Sequence, residues 1–125
     1  MVELAAETGV AIALDETLMD VAIADLDAMP YVRVLVLKPT VLGLEAAVRA
    51  ARWARDTGRT AAISSCYESG LGLMRLAQTA AALQPDGAAG LDTYSALADD
   101  LLSRRPPLGR AELDLTALDD LGGIA

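Results

Sequence analysis

Lys38 closes the run V-R-V-L-V-L-K-P-T of residues 32–40 and is the only lysine in the chain, while nine arginines supply every other positive side chain. An ammonium gives up its proton when desolvated and a guanidinium does not, so a lone lysine at the end of an apolar strand is a candidate base or electrophilic cation. The same residue also reads as a side chain snorkelling out of a strand end. Asp15 and Glu16 place two carboxylates just past the apolar run of residues 10–14. They read either as metal-directed or catalytic groups or as caps for a helix starting near Thr17, where negative charge is favoured. The stretch S-S-C-Y-E-S-G-L-G-L, residues 64–73, carries the capping-box spacing Ser65-x-x-Glu68, and its Gly70 and Gly72 offer helix N-terminal N–H groups to a carboxylate guest. Cys66 reads as a small apolar residue, because no histidine exists to activate it. Asp92 and Thr93, after Gly90, form either a turn or the floor of a pocket.

Composition removes whole classes of function. Ten basic against eighteen acidic residues leave a formal net charge of −8, and no basic stripe interleaves with aromatics, so nucleic acid is not an expected partner. Hydrophobic content is 54%, but charged residues break the apolar runs before membrane-spanning length. The opening Met-Val-Glu-Leu shows no basic signal-peptide region, and the expected location is cytoplasmic. One cysteine and no histidine rule out disulfides within the chain, Cys/His zinc sites and histidine triads.

The elements that must position these groups follow from periodicity. Residues 1–8 read as the end of a helix stopped by Gly9, and residues 10–14 as a short strand. A helix is expected over 17–29, ended by Pro30. The central strand spans 31–39 and, lacking polar alternation, should be buried on both faces. A helix with apolar positions Leu44, Ala47, Val48, Ala51 and Ala54 runs to the stop at 56–58. A third strand covers 60–63, and a helix with Leu71, Met74, Leu76, Ala77 and Ala81 covers 70–83 and ends before Pro85. A weak fourth strand is expected at 88–91, a last helix at 95–102 before Pro106-Pro107, and an edge strand at 112–115 in an otherwise irregular tail. Strand ends recurring about every two dozen residues with helices between them indicate βαβ units and parallel strands in one small α/β domain. Parallel strands bring their C-terminal ends to one side, so Asp15, Lys38, residues 64–68 and Asp92 would share a mouth.

The four strand ends A-L-D-E-T, V-L-K-P-T, S-S-C-Y-E-S-G-L-G-L and G-L-D-T, in this order and spacing, resemble the last barrel strands of the enolase superfamily over nearly all of residues 2–103. The resemblance implies the C-terminal half of a (β/α)7β TIM-like barrel, with about four parallel strands alternating with helices, the fifth to the eighth. Residues 1–103 would form this incomplete barrel and 104–125 a C-terminal tail. It also implies that Asp15 is the third carboxylate ligand of an essential Mg²⁺ and Glu16 its neighbour. Lys38 would stand on the opposite face of the site and stabilise an anionic intermediate, with Ser64, Ser65, Gly70, Gly90 and Asp92 against a small-molecule carboxylate substrate. The nearest branch is a magnesium-dependent dehydratase of menaquinone biosynthesis. Racemases, dipeptide epimerases and muconate-type cycloisomerases share the scaffold. The family's paired lysines and its first two metal ligands have no counterpart in this sequence. The chain alone is therefore expected to be inactive, with a chain supplying the N-terminal half, or a second copy, as its partner. A non-catalytic, partner-completing piece is the reading from another class.

Overall fold

The computed structural model describes residues 2–83, 87–108 and 112–116. Two compact units are distinguished, residues 1–62 and 63–125.

In the first unit, helix α1 (Val2–Thr8) ends as Gly9 takes a positive φ and returns its N–H to the Ala5 carbonyl at 3.0 Å. Strand β1 (Ile12–Leu14) is shorter than the apolar run suggested, and Val10 is exposed. Strand β2 (Val32–Leu37) lies between β1 and β3 (Thr60–Ile63). It pairs with β1 in parallel, with Leu14 opposite Leu35 and an irregularity between Ile12 and Ala13. Val32, Leu35 and Leu37 are fully buried and Val34 and Val36 partly so, as a strand covered on both sides requires.

Pro39 starts the one-turn helix α2 (Pro39–Leu42), its missing N–H costing nothing at that position. Gly43 then joins α2 to α3 (Leu44–Asp56) with φ 84° and ψ 142°, a conformation open to glycine and hardly to any other residue. Helix α3 packs on β2 through Ala47, Ala50, Ala51 and Ala54, spaced i, i+3, i+4, i+7. The expected stripe is corrected at its start: Leu44 is exposed, and Ala50 takes its place.

The expected helix over 17–29 is replaced by two 3-10 segments, Glu16–Met19 and Ile23–Ala28. Each buries one leucine, Leu18 and Leu26. With Asp20, Asp25 and Asp27 breaking the stripe, too little apolar surface recurs at α-helical spacing to hold a longer helix by packing.

In the second unit, α4 (Gly70–Leu83) buries Gly70, Leu73, Leu76, Ala77 and Ala80, while Leu71, expected on that face, is exposed. Pro85, expected as its stop, lies outside the described residues. The expected fourth strand is reduced to a single parallel bridge between Ser64 and Gly90, so a fourth strand is not established. Residues 95–102 are not a helix: a 3-10 segment spans Asp92–Ala96, and the chain then runs irregularly. Arg105 donates to the carbonyls of Leu97 and Ala98 at 2.7 and 2.6 Å and stacks on Tyr94, taking up acceptors that a helix would use.

Residues 112–115 do not form a strand either. Their alternation survives as packing, because Leu113 and Leu115 sit against the buried Ala77 and Leu102. The Asp114 carboxylate accepts from the N–H and hydroxyl of Thr116 and turns the chain there. Residues 109–111 and 117–125 of the expected tail lie outside the described residues. The fold is thus α/β with a three-stranded sheet that is not closed. No helix among the described residues is long and apolar enough to cross a membrane.

Candidate functional site

Parallel pairing of β1 and β2 sets their C-terminal ends side by side, and Asp15 and Lys38 are each the first residue past their strand. Nζ of Lys38 lies 2.7 Å from Asp15 Oδ1 and 2.6 Å from Glu16 Oε1. The contact to Glu16 is an aligned hydrogen bond. Asp15 Oδ1 is buried and meets the ammonium as an ion pair without that alignment. The Lys38 side chain is only 18% exposed, against 40% for Asp15 and 71% for Glu16.

Capping does not explain Asp15. It precedes the 3-10 segment but makes no side-chain cap bond; its backbone carbonyl accepts the Leu18 N–H instead. The carboxylates of Asp15 and then Glu16, accepting from the ammonium, push the Lys38 pKa well above its ordinary value against a smaller effect of burial. The Lys38 hydrogen bond holds the Glu16 carboxyl below its usual range. Lys38 is therefore an ammonium, and of the two chemical roles open in the sequence the geometry favours the cation over the base.

The second unit assembles the serine stretch with G-L-D-T. Ser65 N–H donates to the Gly90 carbonyl at 2.8 Å and Gly90 N–H to that of Ile63 at 2.8 Å, which seats Ser64 beside Gly90. The Ser65 side chain, 2% exposed, donates to the Gly90 carbonyl at 3.1 Å and pairs with the Thr93 hydroxyl at 2.7 Å. Thr93 also accepts the N–H of Tyr67, whose φ of 60° is the one positive value at a non-glycine among the described residues. Ser65 is thus a structural tie here, not the helix cap. Ser69 caps α4 through the Gly72 N–H at 3.4 Å, and Glu68 returns to the N–H of Cys66.

Gly70 does not present a free N–H. It donates to Asp100 Oδ1 at 2.8 Å, while Asp100 Oδ2 accepts from the Tyr94 hydroxyl at 2.6 Å. A Cβ at Gly70 would fall 2.3 Å from Asp100 Oδ2 and 2.6 Å from Leu102 Cδ1. The chain's own carboxylate holds the helix start that the sequence offered to a substrate. Asp92 is exposed and opens a 3-10 turn, its carbonyl accepting the Ser95 hydroxyl. Tyr94 and Asp100 were not singled out as functional, and Thr93 was named only with Asp92 as a turn or pocket floor. Neither Tyr94 nor Asp100 stood in a motif that could have signalled it.

The implied Mg²⁺ can be tested against these donors. Magnesium takes an octahedron of oxygens with one or two carboxylates and several waters or substrate oxygens. Here both candidate carboxylates already face one ammonium, and among the described residues no group of three or more Asp, Glu, Cys or His side chains converges. The residues present do not form a magnesium site by themselves. A separate cavity of about 430 Å³, lined by Leu18, Ile23, Leu42 and Ala50 among others, contains none of the three charged residues.

No protein-family profile matches the chain. Proteins named o-succinylbenzoate synthase from Enterobacter sp. (strain 638) and from Escherichia fergusonii are each 42% identical to it over 118 residues, 94% of this chain but 36% and 37% of the relatives. The protein of that name from Escherichia coli O157:H7 matches to the same extent. The chain spans little more than a third of the length of these curated relatives.

Proposed function

We propose that the chain carries part of the active site of an o-succinylbenzoate synthase, on the strand ends that hold Asp15, Glu16 and Lys38. The reaction is a dehydration in menaquinone biosynthesis: a proton α to a carboxylate of a cyclohexadiene substrate is removed, and loss of water leaves an aromatic ring. The observation that carries the reading is the extent of the match to proteins of that name, which runs through both strand ends. Mg²⁺ is expected of the complete enzyme, and its remaining ligands and the base would come from outside this chain. Lys38 would act as a compact fixed cation toward the anionic intermediate, worth about 10²–10³ in rate for a single such contact. What supports this role is the ammonium's depth at the strand ends and the two carboxylates that keep it charged. A buried arginine fork would not fit a role set by a point charge.

The test is an assay of the chain alone and of the chain joined to the N-terminal two-thirds of one of its relatives, with the cyclohexadiene substrate and Mg²⁺. The expected outcome is no product from the chain alone, product from the completed protein, and a loss of about a hundredfold or more with Lys38→Arg. Turnover by the chain alone in the usual range of about 1–10³ per second, or full activity of the arginine variant, would overturn the reading. Epimerisation of a dipeptide without dehydration would move the chain to another branch of the superfamily.

A further inference from the structure

Four groups of the second unit form one directed chain of hydrogen bonds, and its protons can be placed. A hydroxyl has a single proton and two lone pairs. The Ser65 hydroxyl donates to the Gly90 carbonyl at 3.1 Å, so in its 2.7 Å contact with Thr93 it accepts and the threonine donates. With that proton committed, Thr93 Oγ1 accepts the Tyr67 N–H at 3.1 Å. The chain runs from the Tyr67 amide through Thr93 and the buried Ser65 to the Gly90 carbonyl, each bond polarising the next.

What this chain holds is a strained loop tip. Tyr67 has φ 60°, a conformation that a bulky residue keeps only where its surroundings fix it. Its ring is 64% exposed, so the constraint comes from the backbone bond to Thr93 rather than from packing of the ring. At the other end, Ser64 forms its parallel bridge with Gly90, and a Cβ on that glycine would fall 3.2 Å from Ser64 Oγ. The glycine therefore keeps room beside the Ser64 hydroxyl.

We propose that Thr93 is a positioning residue for substrate binding: its hydroxyl, oriented by Ser65, fixes residues 64–68 in the one arrangement that presents the Ser64 hydroxyl and the Tyr67 tip to a carboxylate-bearing ligand. The inference rests on the proposed function and on the place that the resemblance gives Ser64 and Gly90 against the substrate carboxylate. Without the Thr93 hydroxyl, the Tyr67 N–H is left to water and Ser65 Oγ loses its donor. The tip then relaxes toward negative φ, the binding-competent shape becomes a minor population, and apparent affinity falls by that fraction. The chemical step, carried by groups outside this loop, keeps its rate.

Two measurements on Thr93→Val, which exchanges the hydroxyl for a methyl, and Thr93→Ser, which keeps it, test this. In the full 125-residue chain, amide hydrogen exchange at Tyr67 is followed by NMR. In the chain joined to the N-terminal two-thirds of a relative, KM and kcat are measured with the cyclohexadiene substrate and Mg²⁺, under conditions where urea curves show each variant folded. Valine is expected to speed Tyr67 exchange and to raise KM about tenfold each, the worth of one such bond, with kcat changed less than about threefold. Serine should restore both. Thr93→Ala removes the same hydroxyl without placing a methyl against Ser65, and it replaces valine should that variant unfold. An active wild type together with unchanged Tyr67 exchange in the valine variant, a fall in kcat at constant KM, or a serine variant as impaired as valine would overturn this inference alone. A joined wild type that makes no product would overturn the proposed function and this inference with it.

Discussion

Asp100 ties the start of α4 to Tyr94 in the second unit, and its removal can be worked through atom by atom. Its Oδ1 accepts the Gly70 N–H at 2.8 Å and its Oδ2 the Tyr94 hydroxyl at 2.6 Å, with Tyr94 only 2% exposed. Asp100→Ala strands a helix N-terminal donor and a buried phenol, each costing about 1–3 kcal/mol when left unsatisfied. Water entering the vacated space recovers part of this, and the expected loss is about 2–4 kcal/mol. Asp100→Asn keeps the shape, accepts from Gly70 through its carbonyl and donates to the phenol oxygen through its amide, so it should cost only about 1 kcal/mol. Burial first, and then the Asp100 hydrogen bond, push the Tyr94 phenol up to about 12. For Asp100, burial alone would raise the carboxyl, but hydrogen bonds from Tyr94 and the N–H groups of Gly70, Leu101 and Leu102 together hold it below its usual value. The folded chain therefore binds the Tyr94 proton more tightly than the unfolded one; that stability is complete below about pH 10 and is lost as pH rises toward about 12. The Asp100 contribution has the opposite sense, present above the unfolded carboxylate range and lost as pH falls through its lowered value. Urea unfolding followed by circular dichroism, at neutral pH and along an alkaline series, reads both effects, and Tyr94→Phe should flatten the alkaline loss. An Asp100→Ala midpoint within about 0.5 kcal/mol of wild type, or an asparagine variant as damaged as the alanine one, would refute the reasoning.

Two further outcomes test the first unit by the same measurement. Leu35→Ala, at a fully buried position in the middle strand, should cost about 2–5 kcal/mol through lost burial and a residual cavity. Gly43→Ala should cost about 1–3 kcal/mol although a Cβ there meets nothing within 4 Å. The whole cost lies in φ 84° and ψ 142°. Asparagine should be no better than alanine, because this ψ is far from the left-handed helical region it tolerates.

Where a long apolar run or a strict helical stripe existed, the fold was legible. Val32, Leu35 and Leu37 bury as the run V-R-V-L-V-L predicts, and the alanines of α3 form a face because four of them recur at helical spacing. The failures share a cause. Residues 17–29, 95–102 and 112–115 all carried a pattern that fitted a helix or strand, yet each contains aspartates or lies within reach of an arginine that competes for the backbone. Asp114 turns its own segment, and Arg105 draws off the carbonyls of Leu97 and Ala98. Period alone cannot register a competitor that acts through side-chain hydrogen bonds.

The candidate site was legible for a different reason, and only in part. An aspartate just after a strand can be a cap, a ligand or half of an ion pair, and its own neighbours do not say which. Lys38 decides the matter from 23 positions further along the chain, because parallel pairing brings two successive strand exits together. The sequence carried that information only as a topology: two apolar runs, one helical interval between them, and a charge of each sign at the exits. The Gly70 N–H was open to misreading on the same grounds. Its partner, Asp100, lies 30 residues away, in a segment whose local pattern spoke for a helix. Helix starts attract carboxylates whatever their source. A free helix N-terminus can be assumed from sequence only after every carboxylate of the following segment has been placed, and in this chain Asp100 had already taken it.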